Sequence, residues 1–229
     1  MSFNPRQWLI ILAAAVIVVA AGIYYTIGRP EQVVIQETAR PAPAETPPAP
    51  ANTGDELMVA GPLGERALGD PKAPNIVIEY ASMTCSHCAS FANEVFKPFQ
   101  QKYIDTGKAY FILREFPLDP LATSAIMLAR CAPGDRFFPI VDLLFDQQST
   151  WASAADPVTA LRDVVKQAGI TQDSFNACLT NQTILDGVNW VKDRASKQFG
   201  VNSTPTFFVN GQLFRGEQTL EELDKILGG

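Results

Sequence analysis

Cys85-Ser86-His87-Cys88 sets two thiols one helical turn apart, close enough to be joined as a small disulfide ring. The apolar, β-rich run Ile76 to Ala81 precedes this motif, and Cys88, Phe91, Ala92, Val95 and Phe99 recur at helical spacing after it. A buried strand is therefore expected to hand over to a helix at Cys85. At a helix N-terminus the unpaired N–H groups of the first turn and the positive end of the dipole favour thiolate over thiol. His87, the one histidine of the chain, lies between the cysteines, and a protonated imidazole would act in the same direction. A thiol of low pKa is a good leaving group, so a Cys85–Cys88 disulfide is expected to be readily reduced and to oxidise other thiols.

Competing uses of the pair are poorly supplied. A zinc site needs two more ligands, and the remaining cysteines, Cys131 and Cys178, are far apart and lack Cys-x-x-Cys spacing, so no metal site is expected. Covalent haem attachment needs histidine directly after the second cysteine, where this chain has Ala89. No cofactor is expected. The formal net charge is -6, and after residue 56 there are 15 basic against 19 acidic residues, which argues against nucleic acid as a partner.

Three segments with different compositions must carry and position this motif. No residue from Gln7 to Gly28 is charged, and Trp8 to Tyr25 is almost wholly apolar. About 20 such residues span roughly 30 Å of hydrocarbon, which suits an uncleaved membrane anchor, with a long signal peptide as the alternative. Either reading of residues 1–28 exports the rest of the chain; Arg6 and Arg29 flank the segment, and the positive-inside rule favours a cytoplasmic N-terminus. Residues 29–56 hold Pro30, Pro41, Pro43, Pro47, Pro48 and Pro50 among Ala, Thr and Glu with no apolar period, the pattern of a semi-extended tether. Residues 57–229 suffice for one core.

Within residues 57–229 the expected order is strand, helix, strand, helical block, hairpin, helix. The strands are Ile76 to Ala81 and Ala109 to Phe116, then Thr206 to Val209 and Gln212 to Arg215 around the turn pair Asn210-Gly211. The first helix is expected to bend or end near Pro98. Helical patterns fill residues 121–199, and Thr219 to Leu227 reads as an amphipathic closing helix. A right-handed strand-helix-strand unit makes the first two strands parallel and the hairpin adds antiparallel ones, so a mixed α/β sheet flanked by helices is expected. Cys131 and Cys178 both fall in the helical block; in an oxidising compartment a structural disulfide is the default for such a pair, two buried thiols or a redox-regulatory pair being the alternatives.

The stretch Glu79-Tyr80-Ala81-Ser82-Met83-Thr84-Cys85-Ser86-His87-Cys88, the helical block, and Ser203-Thr204-Pro205-Thr206-Phe207 together resemble the DsbA-like thiol:disulfide oxidoreductases of the bacterial envelope, over about residues 57–229. The resemblance implies a thioredoxin fold with a helical insertion at about residues 118–182, Cys85 as nucleophile and Cys88 as resolving cysteine. Ser86 stands where the commonest motif of the family has proline, and that dipeptide tunes the potential. Pro205 matches the cis-proline of the family, with Thr204 before it offering backbone to an extended substrate segment. Glu79 matches a buried acidic residue beneath the disulfide; burial should raise its pKa and make it a proton acceptor for Cys88 through a water, with Arg114 as a candidate counter-ion. A solvent-facing edge carboxylate is the plainer alternative for Glu79.

The expected function is that of an exported oxidoreductase that introduces disulfides into extracytoplasmic proteins. Its partners would be exported thiol proteins and a DsbB-type membrane oxidase that reloads it, on the periplasmic side of the inner membrane, anchored by residues 8–28 or soluble after cleavage. A disulfide isomerase or reductase served by a membrane electron donor uses the same pair. A non-catalytic envelope binding protein with a structural disulfide is the alternative of another class.

Overall fold

The computed structural model describes residues 53–228; the expected anchor or signal segment (1–28) and most of the tether (29–56) lie outside the described residues. Among the described residues no helix is long and apolar enough to cross a membrane. Regular structure begins with a short helix, α1 (Thr53–Leu57), so the last residues assigned to the tether, 53–56, are helical. Leu57 explains this difference, because it is buried with Ile78, Tyr80 and Phe208 and holds the segment against the sheet.

The five strands are β1 (Arg66–Leu68), β2 (Asn75–Ala81), β3 (Ala109–Glu115), β4 (Thr206–Val209) and β5 (Gln212–Arg215), in sheet order β1-β3-β2-β4-β5. β2 and β3 are parallel, and every other pairing is antiparallel, the mixed sheet that the element order implies. Asn210 and Gly211 both take positive φ (50° and 82°), which closes the β4–β5 hairpin in a two-residue turn. β1 has only three residues, too few for an alternation to be visible in sequence.

Between β2 and β3 runs α2 (residues 86–104), continuous through Pro98 to Ile104. The helix does not end at Pro98. Turns with i→i+5 bonding, Phe91–Phe96 and Gln100–Ile104, flank the proline, which is the second residue of the short segment Lys97–Phe99. Six helices follow β3: α3 (Pro120–Cys131), α4 (Phe137–Asp146), α5 (Gln148–Ala152), α6 (Pro157–Gln167), α7 (Gln172–Leu179) and α8 (Gln182–Phe199). α9 (Leu220–Leu227) closes the chain behind a capping box formed by Thr219 and Glu222.

Strand alternation divides the core. Val77, Phe111, Leu113, Phe207 and Val209 face α2, α9 and the helical block, whereas Ile78, Tyr80, Ile112 and Phe208 face α8 through Val191, Ala195 and Phe199. The fold is thus a thioredoxin-like α/β sheet with a helical insertion. One buried ion pair ties the two parts together: Arg130 on α3 donates to Glu115 at the end of β3 and to the Gly64 carbonyl at 2.9 Å.

Candidate active site

Cys85 ends the turn after β2 and occupies the N-cap of α2 in extended conformation (φ −81°, ψ 120°). Its thiol is half-buried and free, while Cys88, one turn on, is buried and free. The Cys85 thiol donates to the Thr204 carbonyl at 3.2 Å, across the sheet from the loop that leads into β4. The Thr204–Pro205 peptide is cis. Residues 119 apart are thereby brought together by the β2–β4 pairing, whose register sets Tyr80 against Thr206.

The two thiols sit in opposed electrostatic environments. A hydrogen bond from the Cys88 thiol, together with the backbone N–H groups of Cys88 and His87, pushes Cys85 down to about 5 against the opposing effect of partial burial. Burial, the hydrogen bond to Cys85 and the nearby Glu79 push Cys88 well above the ordinary thiol range. The helix N-terminus thus acts on Cys85 through specific N–H groups. His87 contributes its backbone only: its side chain is 71% exposed and its Nδ1 lies 3.2 Å from Glu217 Oε2. The imidazole, expected to favour the thiolate, lies against Glu217, and the Ser90 hydroxyl secures that carboxylate by donating to it at 2.6 Å.

Glu79 lies on β2, on the face toward α2, and is 4% exposed. Burial, and secondarily the Cys85 charge, raise its carboxyl to about 8, and its Oε1 has no hydrogen-bond partner among the described residues. It is not an edge carboxylate, since β2 is flanked by β3 and β4. Nor is Arg114 its counter-ion. The register sets Glu79 against Leu113 and Tyr80 against Arg114, so alternation sends Arg114 to the opposite face. There it pairs with Glu65 at 2.7 Å and donates to the Tyr80 hydroxyl at 2.9 Å.

Two further residues complete the site, Gln148 without a local signal in the sequence and Asp119 with the Asp-Pro signature of a helix start. Gln148, on α5 of the insertion, donates through Nε2 to the carbonyls of Met83 and Cys85, both at 2.9 Å, clamping the turn that presents the thiol. Asp119, the N-cap of α3, accepts from Thr84 Oγ1 and from the Ala122 N–H. Cys131 and Cys178 are joined by a disulfide that links α3 to α7. Among the described residues no group of His, Cys, Asp and Glu side chains is arranged to hold a metal ion.

A Cys-x-x-Cys pair at a helix N-terminus, facing a cis-proline across a mixed sheet, defines the class of thioredoxin-fold redox proteins. The family model described as Thioredoxin matches residues 63–228. The crystal structure of Wolbachia pipientis alpha-DsbA1 is similar at a TM-score of 0.69 and 32% identity, covering 76% of this chain and 94% of that one. The chain belongs to the thioredoxin family and, within it, to the DsbA-like thiol:disulfide oxidoreductases. A protein of Rickettsia bellii (strain RML369-C) described as "Putative protein-disulfide oxidoreductase" is 34% identical over 153 residues, 64% of this chain. That match covers 57% of the relative, so the chain spans little more than half the length of the curated relatives of this kind. A protein-disulfide isomerase from Novosphingobium aromaticivorans, 24% identical with a TM-score of 0.64 over 74% of this chain and 98% of that one, shares the fold.

Proposed function

We propose that this protein donates a Cys85–Cys88 disulfide to thiol-containing extracytoplasmic proteins. The observation that carries the reading is the asymmetry of the pair: Cys85 at about 5 and Cys88 well above the ordinary thiol range. A client thiolate attacks Cys85 Sγ, the Cys85–Cys88 bond breaks, and Cys88 leaves and takes a proton from Glu79. The second client thiolate then attacks the client sulfur bound to Cys85, and Cys85 departs as a stable thiolate that needs no proton. Reduced thiols at Cys85 and Cys88 and a disulfide in the client balance the reaction. Thr204 and Pro205 would present the backbone against which an extended client segment lies.

Reloading reverses these roles. The Cys85 thiolate attacks a disulfide on a membrane partner of the DsbB type; Cys88 then loses its proton to Glu79 and expels the partner. Residues 8–28 would hold the protein at the periplasmic face of the inner membrane, with residues 29–56 as a tether. The test is direct: thiolate absorbance against pH, with Cys85→Ser as blank, is expected to give a midpoint near 5, and equilibration with glutathione an oxidising couple. A midpoint at or above 8 would refute the oxidase reading. A low midpoint with a strongly reducing couple would assign the pair to reduction or isomerisation instead.

A further inference from the structure

On the face of the sheet covered by α2 and α4, a narrow cleft reaches Glu79. Phe91, Phe96, Phe111, Phe138 and Phe145 make most of its wall, and the ionisable residues lining it are Glu79 and Asp142. Glu79 stands at the buried end, and Asp142, on α4, belongs to the solvent-exposed end. The cleft offers a water molecule about 20 Å³, which is room for roughly one. Glu79 Oε1, unpartnered among the described residues, and the Asp142 carboxyl are the polar groups such a water would meet.

Asp142 stands at the rim of this cleft. Its carboxyl feels burial against the cleft wall and nothing that offsets it, so it is pushed above the ordinary carboxylate range. An exposed aspartate on a surface helix needs no explanation by itself, but this one also lines the cleft that reaches the buried Glu79. The geometry does suit a different task. Cys88 is sealed on the side of Cys85 whenever a client or partner is bound there, so a proton released beneath it needs another way out.

We propose that Asp142 is the proton outlet of the redox pair, receiving through a water in the aromatic cleft the proton that Glu79 removes from Cys88 and passing it to solvent. This rests on the proposed role of Glu79. In the step concerned, Cys88 attacks the mixed disulfide at Cys85: the Cys88 S–H bond breaks, the Cys88–Cys85 bond forms, and the partner sulfur leaves as thiolate. The proton goes to the Glu79 carboxylate, then to the cleft water, then to Asp142 and bulk solvent. When Cys88 is the leaving group, the same path runs inward.

The experiment isolates that step by preforming the Cys85–glutathione mixed disulfide on the full chain and following glutathione release in a single turnover. Asp142→Asn is expected to slow release about tenfold at pH 7, less than the loss from removing a primary acid or base. Asp142→Glu should restore the rate, and added formate should rescue Asp142→Ala in proportion to its concentration. In a Glu79→Gln background, Asp142→Asn should add no further loss, since both residues lie on one path. The Cys85 thiolate midpoint should stay at its parental value in Asp142→Asn. A parental rate in Asp142→Asn beside a slow Glu79→Gln variant would overturn the outlet while leaving the Glu79 role standing. Additive losses, or a shifted Cys85 midpoint, would equally overturn it by showing that Asp142 acts otherwise. Parental rates in both single variants would refute the role of Glu79 itself.

Discussion

Replacing Glu79 by glutamine is expected to stabilise the reduced protein at neutral pH while impairing thiol exchange. The carboxyl is held at about 8 in the folded chain against an ordinary value of 4.5. Between those two pH values the unfolded chain has released this proton and the folded chain has kept it. The unfolded state therefore binds fewer protons, and the stability of the parent falls as pH rises, by ~1.4 kcal/mol per pH unit. At pH 7 the accumulated loss is about 3 kcal/mol, and at pH 4 it has vanished because both states are neutral. An amide of the same shape carries no such penalty at any pH. Denaturant unfolding of parent and Glu79→Gln, in one reducing buffer so that Cys131 and Cys178 are in a common state, should give curves that coincide near pH 4 and diverge toward pH 8. Oxidation removes the Cys85 charge that adds to the effect of burial, so the divergence should shrink in the oxidised protein. A difference that is independent of pH would refute the reasoning, since packing of the amide and not titration of the carboxyl would then account for it.

Three further outcomes follow from other parts of the structure. Replacing both Cys131 and Cys178 by alanine opens a bond between residues 47 apart and should cost about 4 kcal/mol by chain entropy, read by denaturant unfolding, with exchange at Cys85 toward small thiols retained. Arg130→Met leaves the Glu115 carboxylate, 1% exposed, buried without its cation and should cost about 3–5 kcal/mol; adding Glu115→Leu should recover much of that in the same assay. Gln148→Glu sets a carboxylate against the Met83 and Cys85 carbonyls in place of a donor, and the Cys85 midpoint should rise above about 5 by thiolate absorbance.

What was legible in the sequence was local. Cys85 and Cys88 declare a helical redox pair because a strand-forming run and a helical period meet at that point, and backbone physics at a helix N-terminus needs no distant partner to lower a thiol pKa. The β4–β5 hairpin was legible for the same reason, since Asn210-Gly211 specifies its own turn. The helix runs on past Pro98, where turns with i→i+5 bonding flank the proline and Phe91, Phe99 and Tyr103 pack into the core.

The chain by itself determined the chemistry on offer: two thiols at exchange spacing, an acid six positions before them in an apolar strand, and an order of elements that admits a mixed sheet. Which groups surround those thiols was decided by tertiary structure alone. The parity of the β2–β3 register sends Arg114 to Tyr80 and Glu65 and away from Glu79. Glu217, 130 residues from His87, engages the imidazole, and Gln148 reaches back 63 residues to clamp the Cys85 carbonyl. No period or motif encodes such contacts, because each depends on strand register and helix placement summed over the whole fold, and a displacement of one residue in β3 would have put Arg114 beneath the disulfide.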